Sequence, residues 1–269
     1  LGIAEDGTDQ RKSFSDWWRG QFKAVKFPPR ETLFDYWLDI DEMNFDQWSK
    51  SPFYYDIDFD SSITPMASVT VPTQETCSVA FWLKTLVDMK RPVMLAGPAG
   101  TGKTQMVLGM LHQLDPTKTV EATINFNFYT DAAVLQDTLC LPLEKKTGIN
   151  FAPPGNTKLI YFVDDLTLPE VDKYNTQSAI ALMRQLMEYD HIYDLNKLST
   201  NPRKNISGIQ WVACLNPSAG SFVIDERLQR WFATFAIGIP SPSSLITVYE
   251  TFLKGHLEHM DFAEEISEM

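Results

Sequence analysis

The chain has 269 residues, with 23 Lys+Arg against 35 Asp+Glu and a formal net charge of −12. With 44% hydrophobic and 12% aromatic residues it can bury a core, which excludes wholesale disorder. The acid excess argues against nucleic acid as a main partner, because phosphate backbones require a basic face; a small polyphosphate needs only local donors and is not excluded.

Three cysteines, Cys77, Cys140 and Cys214, lie far apart with no CxxC spacing. They read as reduced thiols of a cytosolic compartment, not as a disulfide frame or a zinc site. No run of 18 apolar residues is present, so no membrane span is expected. The chain opens on Leu1 with no initiator methionine or signal pattern and ends within a helix-like stretch. We expect a piece of a longer protein.

Residues 1–65 carry four of the seven tryptophans (Trp17, Trp18, Trp37, Trp48) among acids and the break Pro28-Pro29. They are expected to form an extended connecting segment that docks its aromatics on a neighbouring surface. Residues 34–41 alternate imperfectly, as one strand would, and Asp56–Asp60 alternates more cleanly with an all-acid polar face. From Val71 the pattern becomes regular. Thr73 and its neighbours open a helix with Val79, Trp82, Leu83 and Leu86 at helical spacing. A strand over 92–96 leads into glycines and a helix over 103–113. A strand over 119–126, a helix over 131–139 and the apolar strand Leu159–Val163 follow, the last with the pattern of burial on both faces. Then come a helix over 177–187, a strand over 210–215, a short helix over 226–231 and a fifth strand over 234–239. Strands alternating with helices predict an α/β fold built on a parallel sheet.

Gly97-Pro98-Ala99-Gly100-Thr101-Gly102-Lys103-Thr104 matches GxxxxGK[ST] between a predicted strand and a predicted helix. Glycines let backbone N–H groups turn inward around phosphate oxygens, and the following helix offers its N-terminal donors to the anion. Lys103 would reach the outer phosphates, and the Thr104 hydroxyl would ligate Mg²⁺. Asp164, ending the buried strand, would hold the same Mg²⁺, and Asp165 would polarise the attacking water. Aspartate is one methylene shorter than the usual glutamate, and a catalytic group misplaced by about 1 Å loses around a hundredfold in rate; ATP binding with slow hydrolysis is the expectation. Asn216, ending the next buried strand, would orient that water or touch the γ-phosphate. One of Arg227 and Arg230, just before the fifth strand, would serve as an arginine finger toward a neighbouring module, or both would make surface salt bridges; position alone favours neither. His112, His191, His256 and His259 lack ligand partners at useful spacing, so no metal beyond Mg²⁺ is implied.

These residues resemble the AAA+ modules of dynein heavy chains, specifically the third module of axonemal dyneins. The resemblance runs from about Phe27 to Pro240. It rests on the phosphate loop, Phe34-Asp35-Tyr36, Arg91–Leu95, residues 142–146, residues 153–156, Leu159–Asp165, Pro169–Asp172 and residues 216–222. It implies a P-loop AAA+ large subdomain with a five-stranded parallel sheet. It also implies hairpin inserts over 145–158 and 194–207, with Gly97–Thr104 as Walker A, Asp164 and Asp165 as Walker B, and Asn216 as sensor 1. The finger, Arg230 or less favourably Arg227, would face the second module's site. The implied ligands are ATP or ADP with Mg²⁺. The implied partners are neighbouring AAA+ modules of the same chain, with dynein light and intermediate chains and microtubules met through other parts; no nucleic acid and no membrane is implied. The implied location is cytoskeletal, in the cytoplasm or the axoneme of a cilium or flagellum. The corresponding division is a connecting segment over 1–65, the large subdomain over 66–240 and the truncated start of a helical lid over 241–269. Only 29 residues follow Pro240, so the lid is largely missing and the chain alone should hydrolyse ATP very slowly or not at all. A nucleotide-binding structural module without useful turnover is the competing reading.

Overall fold

The computed structural model describes residues 10–200, 203–217 and 225–258. Residues 218–222 of the resemblance, His259 and both ends of the chain lie outside the described residues. These divide into two compact units: one takes the residues up to Lys84 with those from Gly238 onward, and the other is Thr85–Ile237.

The first unit opens with helix α1 (Gln10–Gln21), where an extended segment was expected. Phe14, Trp17, Trp18 and Phe22 recur at helical spacing. They feed an aromatic chain: Phe14 on Phe34, Trp18 on Phe27, Phe27 on Phe45, Trp37 on Trp48, and Trp48 on Phe81. The expected strand over 34–41 is cut at both ends by aspartates. Asp35 accepts from the N–H and hydroxyl of Thr32 at 2.7 and 2.6 Å, which winds Leu33–Asp35 into a 3₁₀ turn. Asp39 accepts from the Asp41 and Glu42 amides, which turns the chain. What remains is β1 (Tyr36–Asp39), paired antiparallel with β2 (Asn44–Gln47). Asp56–Asp60 forms no strand, since no partner strand lies along it.

Helix α2 (Gln74–Asp88) starts where Thr73 and Thr76 exchange side chain to backbone hydrogen bonds of 2.6 and 3.3 Å, a capping arrangement. The second unit then runs through β3 (Val93–Ala96), α3 (Lys103–His112), β4 (Thr119–Asn125), α4 (Ala132–Cys140), β5 (Glu144–Lys145), β6 (Asn150–Ala152) and β7 (Lys158–Asp164). After these come α5 (Ser178–Tyr189), β8 (His191–Tyr193), β9 (Arg203–Ile206), β10 (Ile209–Leu215), α6 (Glu226–Gln229) and β11 (Ala233–Ala236). The five-stranded sheet is parallel throughout, in the order β11-β3-β10-β7-β4. Alternate residues Leu159, Tyr161 and Val163 of β7 and Trp211, Ala213 and Leu215 of β10 join α4 and α5 in one core cluster. The intervening Ile160, Phe162, Val212 and Cys214 are equally buried, as the continuous apolar runs require.

The two expected inserts are hairpins, and they pair with one another. β5 and β6 are antiparallel, β8 and β9 are antiparallel, and β6 lies parallel to β9, giving one four-stranded sheet. Buried Gln136 of α4 accepts from the Leu195 amide at 3.1 Å, and Lys204 pairs with Asp194 at 3.1 Å. The fifth strand of the main sheet is shorter than expected, ending before Gly238 and Pro240.

Helix α7 (Pro242–Glu258) belongs to the first unit. The Glu75 carboxylate accepts from the Ser241 amide and the Ser244 hydroxyl at its N-terminus, where a negative charge is favoured. Near its other end, Gly255 lies so close to the Phe59 carbonyl that a Cβ would collide with it, and Phe252 meets Phe59 edge-on at 5.0 Å.

Candidate functional site

The order of the strands creates the site. β3 and β10 lie side by side, while the chain leaving β3 runs to the far edge at β4 and the chain leaving β10 returns to β11 on the opposite edge. Ligands of open α/β sheets bind beyond the carboxyl ends of strands at such a reversal. Residues 97–104 leave β3 there, Asp164 ends β7, and Asn216 follows β10, whose Leu215 pairs with Ala96.

Glycines shape the loop. A Cβ on buried Gly97 would strike the Ile237 carbonyl, because Ile237 N–H donates to Ala96 O at 2.7 Å and holds the chain after β11 against the loop. Gly100 and Gly102 have φ of +78° and +79°, which other residues adopt only with strain. Gly102 is also the N-cap of α3 and offers no side-chain cap, leaving the first amides of the helix for an anion. Pro98, Ala99 and Gly100 are exposed, whereas Thr101 is buried and its hydroxyl donates to Pro98 O at 3.0 Å. The Lys103 ammonium donates to Gly97 O at 2.9 Å and Pro98 O at 2.7 Å, drawn across the loop.

The Thr104 hydroxyl donates to Asp164 Oδ2 at 2.9 Å, and the other oxygen of Asp164 accepts from the Asp165 amide at 3.0 Å. This sets a hydroxyl and a carboxylate, both hard oxygen ligands, side by side beneath the loop, the pair of donors that a Mg²⁺-bound polyphosphate needs. Asp165 is exposed with φ +54°. Partial desolvation of its carboxyl, and next the Asp164 charge, push its pKa above the ordinary range, with Lys103 opposing. Cys214 lies beneath these carboxylates, and burial pushes its thiol far up, so it stays protonated. Glycine loop, lysine, hydroxyl and carboxylate together fit a nucleoside polyphosphate with a divalent cation.

Not every candidate residue meets at this point. Arg227 and Arg230 precede β11, whose Ala233 pairs with Val93 at the start of β3, so they lie at the amino edge of the sheet, opposite the phosphate loop. Their helix is shorter than the expected 226–231; the Asp225 carboxylate caps it by accepting from the Arg227 amide at 2.9 Å. Arg227 is exposed. Arg230 pairs with Glu188 at 3.0 Å and lies over the Trp231 ring; the sequence reading missed Glu188, whose only signal is its place in the last turn of α5. No cluster of His, Cys, Asp or Glu able to hold a metal ion occurs among the described residues, and no described helix is long and apolar enough to cross a membrane.

Residues 59–240 match the family described as P-loop containing dynein motor region, and residues 3–50 match the dynein heavy chain AAA lid domain. The second match precedes the phosphate loop, in the segment whose aromatics were read only as docking groups. The chain is 43% identical over 99% of its length to the dynein alpha chain of the flagellar outer arm of Chlamydomonas reinhardtii. It is 43% identical over 97% of its length to human dynein axonemal heavy chain 9, and 42% identical over 97% to the ciliary dynein beta chain of Tripneustes gratilla. It spans about 6% of the length of each of these relatives. The chain therefore belongs to the family of P-loop dynein motor regions, and its five-stranded parallel sheet is the AAA+ large-subdomain fold of that family.

Proposed function

We propose that this P-loop dynein region is the third AAA+ module of the motor ring of an axonemal heavy chain. In this reading it binds Mg-ATP or ADP and regulates microtubule-based movement through slow hydrolysis. Lys103 and the loop amides hold the phosphates, Thr104 and Asp164 hold Mg²⁺, and Asp165 and Asn216 attend the hydrolytic water. The observation that carries the nucleotide reading is the 2.9 Å contact between Thr104 and Asp164, which brings the first turn of α3 and the end of β7 together beside the phosphate loop. Arg230 acts in trans on the preceding module, a reading supported by its place at the sheet edge away from its own loop. The lid-like segment over 3–50 then belongs to that preceding module, residues 66–240 are the large subdomain, and residues 241–269 begin this module's own lid. The names of the relatives, flagellar, axonemal and ciliary, support a place in the axoneme.

The alternative is a structural module whose nucleotide stabilises the ring without turnover, which the short side chain of Asp165 favours. Microtubule gliding by the full-length heavy chain separates the two. A regulatory module predicts slower gliding for Asp165→Asn and for Lys103→Ala. Slowing by Lys103→Ala alone supports the structural module, and normal gliding by both overturns the regulatory reading.

A further inference from the structure

Two residues outside the phosphate loop converge on Arg230. Glu188, in the last turn of α5, accepts from Arg230 Nη2 at 3.0 Å, and the guanidinium carbon lies 5.3 Å from the centre of the Trp231 ring. The Glu188 side chain is 24% exposed and that of Arg230 57%, so the carboxylate is the more buried partner and the arginine the more accessible one. A guanidinium has five N–H donors in a planar fork. One nitrogen is committed to Glu188 and the cation rests by the indole, which leaves further donors of a side chain that is more than half exposed. Arg227 is exposed, and its backbone amide donates to the Asp225 carboxylate. We infer that Glu188 and Trp231 are positioning residues that hold the Arg230 fork ready for the terminal phosphate of a nucleoside triphosphate bound by the adjoining module; this rests on the proposed in-trans function of Arg230. A flexible arginine loses side-chain freedom on meeting an anion, and one already oriented loses less.

The geometry also places this device next to the insert sheet. Asp190 ends α5 in a left-handed conformation, φ +55°, and its carbonyl accepts from the Ile206 amide of β9 at 2.9 Å. Glu188 therefore stands three positions before the start of β8.

The test uses the full-length heavy chain and reads affinities at the adjoining module for a non-hydrolysable ATP analogue and for ADP. Their ratio isolates contact with the terminal phosphate, which general loss of structure would not change selectively. Arg230→Ala is expected to cut the ratio by about tenfold or more, as loss of a hydrogen bond to a charged group does. Glu188→Gln, nearly isosteric, is expected to cut it roughly three- to fivefold, the range of a partly exposed ion pair. Trp231→Leu should behave like Glu188→Gln, while Trp231→Tyr, which keeps a ring face for the cation, should retain most of the ratio. An unchanged ratio in Arg230→Ala overturns both the in-trans function and this inference. A ratio lowered by Arg230→Ala but unchanged or raised by Glu188→Gln leaves the in-trans function standing and overturns the positioning assignment.

Discussion

The Thr104 hydroxyl donates to Asp164 Oδ2 at 2.9 Å across 60 positions of sequence. The contact joins the first turn of α3 to the end of β7 and sets the two oxygen ligands expected for Mg²⁺ within one coordination sphere of each other. If they share the cation, Thr104→Ala should weaken nucleotide binding only when Mg²⁺ is present. The expected loss is about tenfold, or ~1.4 kcal/mol, with affinity in EDTA unchanged. Titration of nucleotide with and without Mg²⁺ measures it, and an equal loss in both would assign Thr104 a purely structural part.

Asp165 carries φ +54°, a conformation that Asp and Asn tolerate better than Glu. Lengthening the acid by Asp165→Glu should therefore cost roughly 1 kcal/mol of stability even where it brings the carboxylate nearer the water. Because the folded-state pKa of Asp165 is raised, first by partial desolvation and then by Asp164, its contribution is complete below the ordinary carboxylate range and is lost as pH rises through the folded value. At neutral pH the ionised group opposes folding. Asp165→Asn should melt higher than the parent at pH 7, with the difference shrinking toward pH 4; thermal melts across pH decide it.

Glu75 shows the opposite sign. Burial works to raise its pKa, but hydrogen bonds from Ser244 and Ser241 outweigh it and hold the carboxyl below the ordinary range. Its stabilisation is present above the unfolded-state value and disappears as pH falls through the lowered folded value. Glu75→Gln should reduce stability at pH 7 and flatten the acid limb of the stability profile. An acid limb unchanged in the variant would show that the start of α7 is not fixed by this charge.

Gly97→Ala and Gly255→Ala probe two close backbone approaches, to the Ile237 and Phe59 carbonyls. Each added methyl should destabilise by about 1–3 kcal/mol, as overpacking does, detectable by denaturant unfolding. Only Gly97→Ala should also impair nucleotide binding, since only that contact borders the phosphate loop.

The centre of the main sheet was legible because Leu159–Val163 and Trp211–Leu215 are continuous apolar runs, each followed at the site by a polar residue, Asp164 and Asn216. The phosphate loop was legible because its glycines are fixed by backbone geometry and therefore by residue type. Helix α1 had a readable signal, Phe14, Trp17, Trp18 and Phe22 at helical spacing, obscured by the dense aromatics and acids around it. The shortening of the strand around Tyr36 depends on Asp35 and Asp39 bonding to nearby backbone, which alternation of apolar residues does not register. The pairing of β6 with β9 joins segments more than fifty residues apart, and Glu188 beside Arg230 is likewise a tertiary neighbour, so neither leaves a local pattern.

The central claim is that residues 97–104 hold a Mg²⁺-bound nucleotide. Equilibrium titration of the chain with a fluorescent ATP analogue and Mg²⁺, repeated with Lys103→Ala, tests it most directly. The account predicts saturable one-to-one binding that falls at least tenfold, about 1.4 kcal/mol, in the variant, with its melting temperature without nucleotide close to the parent's. Equal affinity in a folded Lys103→Ala variant, or no binding by the parent at millimolar nucleotide, would contradict it.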